Sequence, residues 1–177
     1  MSALTRQPAA PDACIHASPD LFKTAMRRLA ATVCALTTCH EGRRWAMTAT
    51  AVSSLTAEPP SLIACVNRSA SAHDAILASQ CLCINILTEQ QHETAKRLSG
   101  ALGHSGERRF EDADWYTLAT GAPALRGAAA ALDCTIARSF IYETHTVLIC
   151  LPRAIELGTM ELPLLYSDRS YTKVRPW

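Results

Sequence analysis

The chain has 177 residues and a mass of 19.2 kDa, the size of one domain, and 30 of its residues are alanine, so its core must be built largely from small side chains. Seventeen Lys plus Arg against 16 Asp plus Glu leave a formal charge of +1, without the basic surplus of a nucleic-acid-binding protein. No run approaches the roughly 20 apolar residues of a membrane span, and no basic segment followed by an apolar stretch opens the chain. The expectation is a cytoplasmic protein with neither a membrane nor a nucleic acid as partner.

Eight cysteines stand at 14, 34, 39, 65, 81, 83, 134 and 150. None forms a C-x-x-C pair, and Cys39-His40 has no second Cys/His cluster at ligand spacing. The expectation is no metal, and thiols that act as small buried apolar groups in a reducing compartment.

Residues 1–17 hold two prolines and no periodicity and are read as a flexible N-terminal arm, which leaves 18–177 as the folded domain. Ser18-Pro19 reads as an N-cap followed by proline at the first helical position. Leu21/Phe22, Ala25/Met26 and Leu29 then recur at helical spacing on one face. Thr32–Cys39 and Trp45–Val52 read as a hairpin turning at His40-Glu41-Gly42-Arg43. Pro59-Pro60 forces extended backbone before the strand Ser61–Asn67. Ser71 is placed to cap a helix through His73–Leu77, with His73 and His92 expected on helix surfaces.

Cys81–Leu87 is almost continuously apolar, as in a strand buried on both faces. Thr88 with Gln91 reads as a capping box, and the helix that follows stops at Gly100. Residues 100–114 read as a surface loop. Ala129–Phe140 alternates, with Leu132, Cys134 and Ile136 on one face, and pairs with Thr144–Leu151; Leu164–Lys173 reads as a last strand or strand and turn. Strands do not alternate regularly with helices, so a parallel sheet is not expected. The fold class is mainly β with peripheral helices, built as an antiparallel barrel or sandwich.

Several catalytic signatures are missing. No G-x-G-x-x-G follows a strand, no Lys-Ser/Thr follows the glycines at 100, 103 and 106, and Gly103-His104-Ser105-Gly106 is not G-x-S-x-G. Two segments carry chemistry. In Met47-Thr48-Ala49-Thr50-Ala51-Val52-Ser53-Ser54, small side chains let a flat ligand approach the backbone, and hydroxyls or N–H groups bind its polar edge. In Cys65-Val66-Asn67-Arg68-Ser69-Ala70-Ser71, a strand runs into a Ser/Arg turn, which is either a serine-rich helix cap or an anion site. His145, amid β-forming residues, is either a structural histidine or part of a site.

In sequence order, Thr48–Thr56, Pro59-Pro60-Ser61-Leu62, Cys65-Val66-Asn67, Asn85-Ile86-Leu87, Lys96–Gly100, Glu107-Arg108-Arg109-Phe110, Thr120–Pro123, Leu132-Asp133-Cys134, His145, and Leu165-Tyr166 with Arg169 and Tyr171 together resemble the short-chain flavin reductases, the reductase components of two-component aromatic monooxygenases. The resemblance spans about residues 20–173. It implies an FMN-binding split β-barrel, usually a homodimer, that reduces FMN or FAD with NADH or NADPH for a flavin-dependent monooxygenase component. The alternative within the same barrel is a flavin carrier or sensor without nicotinamide turnover. The resemblance puts Met47, Thr48, Ala49, Thr50, Ala51 and Val52 along the flavin ring. It puts Cys65, Val66 and Asn67 beside ring and ribityl chain, Arg68, Ser69 and Ser71 on the phosphate, and Asn85, Ser99 and Gly100 close by. His145 is expected at the nicotinamide. The chain departs from the family's frequent residues at Thr50 (Asn), Leu98 (Phe) and Glu143 (Gly).

Overall fold

A computed structural model describes residues 17–111, 113–159 and 162–175. The arm expected at 1–17 lies almost wholly outside the described residues. Twelve strands and three α-helices follow one another in these residues. They are α1 (Pro19–Met26), β1 (Ala31–Thr32), β2 (Cys34–His40), β3 (Arg43–Ala49), β4 (Val52–Ala57), β5 (Pro60–Asn67), α2 (His73–Ser79) and β6 (Cys81–Ile86). Then come α3 (His92–Leu98), β7 (Trp115–Thr117), β8 (Pro123–Leu125), β9 (Ala130–Tyr142), β10 (His145–Leu157), β11 (Leu164–Ser167) and β12 (Ser170–Lys173). The mainly β class with peripheral helices is therefore the observed one.

Seven strands form one antiparallel sheet in the order β3-β2-β6-β9-β10-β5-β4. Its two edge strands, β3 and β4, are separated by only Thr50 and Ala51 in sequence. A sheet whose edges are joined by two residues must curl back on itself. No ladder joins β3 to β4 among the described pairings, so the curled sheet stays open along that seam, as a split barrel does.

Inside the curl, Leu36, Leu82, Ile84, Cys134 and Leu148 pack with Ala72 and Ile76, which α2 contributes from the chain segment after β5. A second cluster outside joins Val33, Leu87, Leu98, Phe110, Leu125 and Leu164. Cys83 turns away from both, toward Ala122, Ala124 and Ala131. β6 therefore has apolar neighbours on each face, which explains its unbroken apolar run. The seven cysteines among the described residues are free thiols. Burial pushes Cys34, Cys134 and Cys150 up to about 12, which leaves them inert apolar groups.

The turn of the β2–β3 hairpin holds Glu41 and Gly42 at φ 51° and 72°, the pair of positive values a tight type I′ turn needs. The structure departs from the sequence reading in several places. The second strand stops at Ala49 and not at Val52, and 52–57 form a separate, exposed edge strand. β10 continues through Pro152 to Leu157, because a register shift between Pro152 and Ala154 accommodates a residue without an N–H. Ala72, not Ser71, precedes α2. His73 is 6% exposed and not a surface residue, its Nε2 lying 2.9 Å from Thr146 Oγ1.

Candidate active site

Beside this seam, between residues of β3 and β5, lies a cleft of about 760 Å³, a volume ordinary for a small-molecule site. Met47, Thr48, Ala49, Thr50 and Ala51 form one wall; Cys65, Asn67 and His145 form another. Small side chains keep this wall close to the backbone. β3 is an edge strand, so every second residue turns its main-chain groups away from β2. Ala46 O is one such group, because it accepts a hydrogen bond from Arg109 Nη1 at 2.7 Å. By strand parity the N–H and C=O of Thr48 share that outward side.

The cleft runs into a smaller recess of about 320 Å³, with which it shares Met47, Thr48 and Ser99. Ser69, Ser71 and Arg109 line this recess. The Arg109 guanidinium is fixed by three donations: Nη1 to Ala46 O, Nη1 to Ser71 Oγ at 3.1 Å, and Nε to His104 O at 3.2 Å. A fixed cation beside hydroxyls, walled by short side chains, is suited to a phosphate. Asn67 orders the turn between β5 and α2, its Oδ1 accepting from the Ser69 N–H at 2.9 Å and from Ser69 Oγ at 2.8 Å.

His145 opens β10 directly opposite Asn67 of β5. Its Nδ1 lies 2.9 Å from Thr144 Oγ1, a contact that leaves Nε2 as the ring nitrogen for a ligand. The preceding turn is a strained one: Glu143 sits at φ 48°, where glycine is at home. That turn is clamped to the end of β5 by Arg68, whose N–H donates to Thr144 O at 2.9 Å and whose Nη1 donates to Glu143 O at 3.2 Å.

Of the residues singled out in sequence, Met47–Ala51, Cys65, Asn67, Ser69, Ser71, Ser99 and His145 meet on the walls of the cleft and its recess. Five do not. Val66 is 1% exposed inside the curl, and Val52 packs against the same cluster, because alternate residues of a strand face opposite ways. Arg68 is engaged with the β9–β10 turn. Asn85 is buried, accepting from Leu125 N at 2.7 Å and donating to Thr37 Oγ1 at 3.2 Å. Gly100, at φ 81°, lies behind Ser99 and against Arg109.

Lys96, Arg109, Tyr166, Arg169 and Tyr171, which the sequence reading quoted for the resemblance without assigning them to the site, and Leu102, which it did not single out, also line the cleft or recess. Arg109 sits in a stretch taken for a surface loop. A one-turn helix at Gly106–Phe110 anchors it instead, with Phe110 buried edge-on against Trp115 at 5.1 Å. The buried aromatic at 110 is the signal that was available. Among the described residues no group of three or more His, Cys, Asp or Glu is placed to hold a metal ion, and no helix is long and apolar enough to cross a membrane.

Residues 26–175 match the family model of the flavin reductase like domain. A Variovorax paradoxus protein named FMN reductase (NADH) RutF is 39% identical over 155 residues, which are 86% of this chain and 84% of that protein. A putative flavin reductase from Haemophilus somnus superposes with a TM-score of 0.85 at 35% identity, covering 89% of this chain and 100% of the other. A homologue of nitrilotriacetate monooxygenase component B from Mycobacterium thermoresistibile superposes with a TM-score of 0.79 at 25% identity, covering 90% of both chains. Open curled sheet, seam cleft and these similarities agree, and the chain belongs to the flavin reductase-like domain family.

Proposed function

We propose that this chain reduces FMN with NADH, by hydride transfer within the seam cleft, and releases the reduced flavin to a separate monooxygenase component. The observation that carries this reading is the continuity of a small-residue cleft with a recess holding Arg109, Ser69 and Ser71. The donor set fits a flavin mononucleotide: exposed backbone and apolar walls for a planar ring, and a cation with hydroxyls for one phosphate. The similarity to a protein named FMN reductase (NADH) and to a monooxygenase component B supports the choice of cofactors and partner.

When bound, the flavin supplies the electron-accepting chemistry and the nicotinamide supplies the hydride. The protein binds and orients. Thr48, through its outward main chain, meets the polar edge of the ring, where preorganised donors are most useful. Ala49 and Ala51 keep the wall flat, Arg109 fixes the phosphate end, and His145 orients the nicotinamide carboxamide. None of these roles needs an acid–base triad, and among the described residues none that lines the cleft or recess is a carboxylate.

Two further points belong to the same reading. The exposed apolar residues Leu21, Phe22 and Met26 of α1, and Phe140, Ile141 and Tyr142 at the tip of the β9–β10 hairpin, support association of two copies as a homodimer. The free thiols support a reducing, cytoplasmic setting. Anaerobic addition of NADH to the FMN-loaded protein tests the activity. Bleaching of the visible flavin band within seconds is expected, and an unchanged spectrum over minutes would leave only a flavin carrier.

A further inference from the structure

The end of the cleft formed by α3 and the β11–β12 hairpin differs from the flavin wall. Lys96, Tyr166, Arg169 and Tyr171 line it. The tyrosine rings meet edge to face at 5.3 Å, and His92 packs edge-on against Tyr171 at 4.8 Å, so the aromatic pair is held from behind. Among the described residues no carboxylate lines the cleft itself. Lys96 is partly engaged, donating to Glu93 at 2.9 Å. Arg169 has no hydrogen-bond or ion-pair partner among the described residues.

Its backbone setting is also unusual. Asp168 and Arg169 form the two-residue turn between the paired Ser167 and Ser170, at φ 45° and 61°. Turns of this shape favour glycine at the second position. An arginine there has no local conformational reason, and it sets an unpaired guanidinium at the cleft rim, apart from the recess that holds Arg109.

We propose that this end of the cleft is a second anion site, specific for an adenosine diphosphate moiety, with the pyrophosphate on Arg169 and Lys96 and the adenine against Tyr166. A guanidinium suits the pyrophosphate and an aromatic face suits the purine. The inference deepens the flavin reductase reading and rests on it for the source of the ligand. Two molecules carry this moiety in such a reaction, the dinucleotide NADH and the dinucleotide FAD. The site makes the protein sensitive to the nucleotide half of one of them, beyond the reacting ring.

Arg169→Gly is the informative variant, because glycine is the residue the turn prefers and the hairpin keeps its shape. Calorimetric titration of ADP into the protein should show binding weakened about tenfold in Arg169→Gly, the size of one lost charge-assisted contact, while Arg169→Lys retains most of it. Adenosine, which has no phosphate, should bind both proteins alike. In steady-state assays, a raised KM for NADH with an unchanged KM for reduced nicotinamide mononucleotide assigns the site to the donor. A raised KM for FAD with that for FMN unchanged assigns it to the flavin. Equal ADP binding by wild type and Arg169→Gly, or no ADP binding by the wild type, would overturn the site. A wild type that binds ADP in this way and yet oxidises no NADH with any flavin would overturn the reductase reading alone.

Discussion

Thr144 and His145 are joined side chain to side chain, Oγ1 to Nδ1 at 2.9 Å, at the first residue of a strand that faces the cleft. The contact selects which ring nitrogen is left to face a ligand and holds the ring angle. A histidine held in this way orients a partner. His145→Ala should therefore raise the KM for NADH several-fold while lowering kcat by less. Thr144→Val should give the same pattern in weaker form. Steady-state kinetics of the two variants measure this, and a collapse of kcat with an unchanged KM would contradict the orienting role.

Arg68 was the arginine expected at the phosphate, and in the structure it is Arg109 that lines the recess. Arg68 spends its guanidinium on the carbonyl of Glu143, whereas Arg109 stands in the recess between Ser71 and the backbone of Ala46. Arg109→Ala should weaken FMN about tenfold and riboflavin much less, since only FMN carries the phosphate. Arg68→Ala should weaken the two flavins equally and slightly, and should raise the KM for NADH by loosening the turn that carries His145. Flavin titration by fluorescence quenching reads the ratio; a phosphate-selective loss in Arg68→Ala would reverse the assignment.

How the chain folds was largely legible where local patterning decides the outcome. The β2–β3 turn announced itself through Glu41-Gly42, and β6 through an apolar run that fits a strand covered on both faces. The separate strand β4 was not legible, because it is an exposed edge whose residues bury almost nothing, so no alternation marks it. The cleft's strand wall was visible as a stretch of small residues, but the far wall was not. Arg109, Arg169 and Tyr171 come from two distant segments that the curl of the sheet brings to one seam, and no spacing in the chain encodes that meeting. Asn85, expected near the site from the resemblance alone, sends its hydrogen bonds into the protein interior.

Asn85 holds three segments together. Its Oδ1 accepts from Leu125 N at 2.7 Å and its Nδ2 donates to Thr37 Oγ1 at 3.2 Å and Ala35 O at 3.3 Å, all without solvent exposure. Asn85→Ala leaves a buried N–H of β8 unpaired and a small void, a combined cost of about 2–4 kcal/mol. The melting temperature should fall by roughly 5–15 °C for a chain of this size. FMN affinity of the protein that remains folded should be unchanged. Normal stability with weakened FMN would return Asn85 to the binding site.

Glu107 ties the one-turn helix carrying Arg109 to strand β3. Its carboxylate accepts from Arg44 Nη2 at 2.6 Å, from Arg44 Nε at 2.9 Å and from the Arg44 N–H at 3.0 Å. These bonds hold its carboxyl below the usual carboxylate range, the side-chain hydrogen bond to Arg44 contributing most. A carboxyl whose folded pKa is lowered contributes stability above its unfolded value of about 4.3. That contribution is lost as the pH falls through the lowered folded value. The two side chains are 40% and 56% exposed, so solvent screening keeps the pair to about 0.5–1 kcal/mol at neutral pH. Glu107→Gln should be less stable than wild type by this amount in urea unfolding at pH 7. The gap should narrow below about pH 4, where the wild-type carboxylate begins to protonate. Adding salt at pH 7 should narrow it too. A gap that is the same at pH 7 and pH 3 would mean that shape, not charge, joins this helix to the sheet.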